Sequence, residues 1–256
     1  MQKYLLIGLL FLAAVSHGQT PYIPADTLEQ VHSPLQHRQQ CLPQAGSFIL
    51  PALALSYGSL SLFSTAIREF DYSVQDLGKY RSHPLRVDDY LQYVPAVSGI
   101  GLQLMGIKGK HQLRDRSIML GMSTALTILS VRSLKYIVGR QRPDSYARNS
   151  FPSGHTATAF VGATFLWMEY KDSHPWIGIA GYSLAVGTGI LRVYNNRHWF
   201  SDVVMGAGLG MLNVRLAYWL YPSLQRLLFK QDEYKQVMLS PWLSDNGYGM
   251  SVHLQL

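Results

Sequence analysis

Charge is scarce in this chain. Only 14% of its 256 residues are Asp, Glu, Lys or Arg, against about a quarter in an average soluble domain. With 48% hydrophobic residues it is too apolar for a disordered chain and too charge-poor for an ordinary soluble enzyme. Cysteine is all but missing. Cys41 stands alone, which excludes an internal disulfide and any cysteine-built zinc site. Acidic residues number 15 against 22 Lys and Arg, a formal net charge of +7, so an anionic partner suits the chain. The basic residues are dispersed between apolar stretches rather than clustered on a polar scaffold, which argues against nucleic acid.

The mean hydropathy of +0.04 conceals a segregated pattern. One lysine, an apolar run from Tyr4 to Val15 and the small residues before Gln19 make residues 1–18 a secretory signal peptide, or else an uncleaved anchor. Residues 19–45 are polar and punctuated by Pro21, Pro24, Pro34 and Pro43, as a surface segment is. Beyond them the charges vanish in blocks: none occurs in 39–67, 90–107, 117–131, 149–168 or 173–191, and only Arg215 interrupts 203–225. A bilayer crossing takes about 20 mostly apolar residues. The expectation is therefore an all-α, polytopic membrane bundle within 46–222, of about six spans near 46–66, 90–107, 117–138, 154–169, 175–192 and 202–221. Frequent glycines in these blocks would let membrane helices pack closely. The tail 223–256 carries Asn246-Gly247 within alternating residues, the mark of a short hairpin.

Ionisable groups beside such helices are costly and mark function by default. Lys135 and Arg142 lie seven apart, about two turns along one face of a helix, so both could reach one anion beyond its end. Gly139 and Pro143 would stop the helix there. In Pro152-Ser153-Gly154-His155, Ser153 is a good N-cap and the amides of the first turn are an anion site. Gly154 allows close approach to the backbone, and His155 can give or take a proton near neutral pH. His198 and Asp202 are four apart, so a carboxylate could orient the imidazole and leave its other nitrogen as a nucleophile. Arg192 precedes them. Pro-Ser-Gly-His alone is expected roughly once in 160,000 positions. Three such blocks in order, each at an apolar helix end, form a specific signal.

The blocks Lys135…Arg142-Pro143, Pro152-Ser153-Gly154-His155 and Arg192…His198…Asp202 resemble the signature of the type 2 phosphatidic acid phosphatase and vanadium haloperoxidase superfamily over roughly 46–222. Leu191 stands where the family usually has serine. The resemblance implies a helical bundle and metal-independent hydrolysis of a phosphate ester through a phosphohistidine. His198 would be the nucleophile, Asp202 its orienting partner and His155 the acid. Lys135, Arg142, Arg192, Ser153 and Gly154 would hold the phosphoryl oxygens. No metal or cofactor is implied, although vanadate or phosphate could occupy the site.

The expected substrate is a lipid phosphate or diphosphate whose tail stays in the bilayer. The alternatives are a vanadate-dependent haloperoxidase and a non-catalytic membrane protein binding phosphorylated lipid. Loop Lys and Arg counts on the two sides, eight and nine, do not orient the chain. A cleaved leader followed by six spans would put the site inside, whereas a non-spanning 46–66, broken by Pro51 and rich in serine, would turn it outward. The expectation is a bacterial inner-membrane protein with its site facing the periplasm, since a secretory leader hints at envelope function.

Overall fold

The computed structural model describes residues 45–76, 86–228, 237–244 and 247–254. The leader and, except for Ala45, the polar segment 19–45 lie outside the described residues. A short 3₁₀ turn leads into α1 (Ile49–Leu60) and α2 (Thr65–Asp76), which meet at 94°. There follow α3 (Asp88–Leu91), α4 (Val94–Leu104), α5 (Leu113–Val138), α6 (Gly154–Tyr170), α7 (Pro175–Tyr194) and α8 (Phe200–Leu228). The expected hairpin is present as β1 (Val237–Ser244) and β2 (Gly247–Leu254), antiparallel with Ser244 opposite Gly247.

Among the described residues three helices, α5, α7 and residues 200–225 of α8, are long and apolar enough to cross a membrane, and the bent pair α1–α2 makes a fourth candidate. The six charge-poor blocks therefore do not each form a membrane-length helix. α4 has 11 residues and reaches only about 16 Å, half of the hydrocarbon core. α6, with 17 residues, is enclosed in the bundle, packed by α4, α5, α7 and α8. Its Ala157, Ala159, Ala163 and Phe165 are buried on several faces, as expected of a helix apolar all round. Exposed apolar side chains on the outer helices include Ile128 and Leu129 of α5 and Ile179 and Ile190 of α7.

Close packing of α8 on α6 depends on glycine. A Cβ at Gly206 would lie 2.4 Å from the Ser153 carbonyl oxygen, and one at Gly210 2.5 Å from that of Ala157. This four-residue spacing of small residues lets the two backbones touch. Asn213 adds a polar link, donating to the Thr127 and Ser130 hydroxyls of α5 at 3.1 Å each. Because α5 to α8 follow one another in sequence and pack side by side, the end of α5, the start of α6, the end of α7 and the start of α8 gather at one end of the bundle. All three sequence blocks sit there.

Candidate active site

α5 ends where Gly139 adopts the left-handed conformation, φ +56°, its amide donating to the Lys135 carbonyl at 3.2 Å. Lys135 therefore occupies the last turn, while Arg142 comes from the loop that turns back, not from the same helical face. The loop is folded on itself: Ser150 N–H donates to the Arg140 carbonyl at 2.9 Å and Arg142 N–H to that of Ala147 at 3.0 Å. Lys135 Nζ donates to the Asn149 carbonyl, and Arg142 Nε to the Asn149 side-chain oxygen at 2.6 Å. Asn149 thus joins the two cations. Burial lowers the Arg142 pKa from its ordinary value.

Ser153 caps α6. Its fully buried hydroxyl lies 2.9 Å from the Thr156 hydroxyl, and its N–H donates to the Asp202 carbonyl at 2.9 Å. A Cβ on Gly154 would meet only Val131, at 3.8 Å, so neighbouring protein atoms do not demand glycine there. His155, in the first turn, places Nε2 3.0 Å from Asp89 Oδ1. Arg192, in the last turn of α7 and 5% exposed, donates to Asp88 Oδ2 at 2.5 Å and stands 3.7 Å from Asp89. Its buried Nε has no hydrogen-bond partner among the described residues.

His198 precedes α8 and is 1% exposed. Its Nδ1 is 3.7 Å from Asp202 Oδ2, longer than a hydrogen bond, with the Ser150 hydroxyl 3.5 Å away. Ser150 in turn donates to Asp202 Oδ2 at 2.5 Å. Expected direct pairing is thus replaced by a link through Ser150. The reason is competition: Asp202 also accepts from the Trp199 amide at 3.1 Å, in the manner of a capping box, and from Arg140 at 2.8 Å. Burial lowers the His198 pKa to about 4, outweighing the upward pull of Asp202, and Lys135 and Arg192 add smaller downward contributions. The imidazole is neutral at neutral pH, with Nδ1 turned toward Ser150 and Asp202 and Nε2 left as the second nitrogen.

The structure thus gathers Lys135, Arg142, Ser153, His198 and Asp202 through Asn149 and Ser150. Arg192 and His155 meet through Asp89. Sequence reading missed the residues between them. Asn149 and Ser150 carry no charge, Arg140 was counted as an ordinary loop cation, and the Asp88-Asp89 doublet lies 103 residues before the nearer of its partners in the third block, Arg192. Among the described residues no group of three or more His, Cys, Asp or Glu side chains converges as metal ligands do.

A model of the PAP2 superfamily matches residues 117–226, which include all three blocks. A lipid A 1-phosphatase of Porphyromonas gingivalis is 44% identical over 138 residues, 53% of this chain and 31% of that protein. The chain thus spans about a third of that relative's length. A lipid A 1-phosphatase of Helicobacter pylori is 27% identical over 187 residues, 69% of this chain and 90% of that one. Among solved structures, a transmembrane PAP2 type phosphatidylglycerolphosphate phosphatase from Bacillus subtilis aligns with a TM-score of 0.49 at 24% identity, covering 71% of this chain and 96% of that one.

Proposed function

We propose that the chain, whose residues 117–226 match a model of the PAP2 superfamily, is a membrane phosphatase that hydrolyses a lipid phosphate or diphosphate through a phosphohistidine, without a metal. The observation that carries this reading is the buried His198 just before α8, faced by Lys135 and Arg192, with Arg142 joined to Lys135 through Asn149. Phosphoryl transfer needs chiefly positioning and charge neutralisation. Three cations and the first-turn amides of α6 offer both.

His198 Nε2 forms the N–P bond as the P–O bond to the lipid breaks, and His155 gives its proton to the leaving oxygen. Water then attacks phosphorus, the N–P bond breaks, and His155 takes the proton from that water. Burial and Arg192 lower the His155 pKa below that of an open imidazole, and the Asp89 carboxylate, 3.0 Å away, opposes them in favour of the proton that His155 needs before the first step. Arg192 Nε, buried without a partner among the described residues, is a donor for a phosphoryl oxygen. The names of the Porphyromonas and Helicobacter relatives make the 1-phosphate of lipid A the first substrate to try. The reading takes the site to face the periplasm from the inner membrane. No cofactor takes part, and vanadate acts as a competitor.

The test is inorganic phosphate release from a panel of lipid phosphates and diphosphates by purified protein. His198→Ala should lose release by roughly 10³-fold or more. Release by His198→Ala at the wild-type rate would refute the phosphohistidine. Phosphate release absent from wild type, with halide oxidation once vanadate is added, would make the chain a haloperoxidase.

A further inference from the structure

Asp202 carries two different loads. Its Oδ2 faces His198, Ser150 and the Trp199 amide, whereas its Oδ1 accepts from Arg140 at 2.8 Å. Arg140 is itself held: it donates to Asp71 Oδ2 and to the Ser201 hydroxyl at 2.8 Å each, and lies over the Trp199 ring at 5.5 Å. Asp71, fully buried on α2, also accepts from the Ser201 amide at 2.9 Å and from its hydroxyl at 2.5 Å. Each Arg140 nitrogen that bonds a carboxylate is thus fixed by a rigid partner on another element. Asp71 lies outside the matched family region 117–226.

We propose that Arg140, clamped by Asp71, is a positioning residue that neutralises Asp202 and holds its carboxylate back from His198, so that the imidazole stays unprotonated for attack. A carboxylate without that guanidinium would present its whole charge to an imidazole 3.7 Å away, and a nearby anion favours imidazolium. The other charged groups facing His198 are Lys135 of α5 and Arg192 of α7, both opposing protonation. Lys135 and Arg142 also face Asp202. Arg140 differs from these in touching the carboxylate itself. α2 thereby becomes part of the catalytic apparatus, since it supplies the anchor.

The proposal rests on the phosphatase reading, and its test is the pH dependence of kcat/KM for phosphate release from the best lipid phosphate of the panel. In Arg140→Gln the acid limb should move to higher pH by about one unit, with a rate below wild type throughout. Arg140→Lys, which keeps the charge, should restore the wild-type limb while kcat stays below wild type. Asp71→Asn should move the limb in the same direction as Arg140→Gln but less far, and it carries the test if Arg140→Gln does not fold. A lower rate with the wild-type limb in both Arg140→Gln and Asp71→Asn would show a purely structural role and overturn the proposal. Activity absent from wild type would instead refute the phosphatase reading.

Discussion

His198 links protonation to folding as well as to chemistry. Its pKa falls from 6.5 in an open chain to about 4 in the folded protein. Between those values the unfolded chain binds the proton and the native protein does not, so acidification favours unfolding. The contribution is neutral above about pH 6.5 and turns increasingly destabilising down to about pH 4. Thermal unfolding of wild type and His198→Gln in detergent, followed from pH 7.5 to 4.5, should show a steeper loss in wild type. Parallel slopes would mean that the buried imidazole is already charged. The same depressed value keeps the nucleophile ready across the neutral range, so any activity lost between pH 7 and 5 belongs to another group.

At the scale of elements, the site is only as exact as the contact between α6 and α8. Gly206 places α8 against the Ser153 carbonyl, one residue before the amides proposed to hold phosphate. Gly206→Ala should cost about 1–3 kcal/mol through overpacking and lower phosphate release by pushing the α6 N-terminus away from His198. Gly101→Ala in α4 is the comparison, because its Cβ would meet nothing within 4 Å and alanine is the better helix former. Paired melting curves and rates in detergent check both. Equal behaviour of the two variants would mean that α6 and α8 can separate without consequence.

For the whole molecule the open relation is that of the site to the membrane. Tyr146 sits 94% exposed in the loop beside Arg142, so a probe placed there reports the side of the site. Tyr146→Cys in a Cys41→Ser background should react with an impermeant maleimide in intact spheroplasts. Reaction only after lysis would place the site in the cytoplasm and reverse the proposed orientation. The bent α1–α2 pair matters here. α2 leaves α1 at 94°, and one face of α2 turns the buried Asp71 inward, with Phe70 and Tyr72 packing edge-on against Phe200 and Trp199. A helix that turns aside in this way packs over the site end, so the α1–α2 pair is bent and not one straight helix.

Composition and spacing alone determined much of this protein. Charge-free blocks imply a helical membrane protein because ionised side chains are expensive in hydrocarbon, and Gly139 and Ser153 mark helix ends because only certain residues satisfy orphan backbone groups. The ionisable residues at those ends, Lys135, Arg142, His155, Arg192, His198 and Asp202, were legible for the same reason. Tertiary structure decided the rest. Whether a charge-free block faces outward or is enclosed depends on what packs around it, so α6 lies inside the bundle, while α4 is only 11 residues long. Which partner Asp202 prefers depends on distance: Arg140 and Ser150 take hydrogen bonds that spacing alone had assigned to His198. Asp71, Asp88 and Asp89 enter the site only because folding brings α2 and α3 over it. A charge that looks ordinary in a loop acquires its role from the one it is buried against.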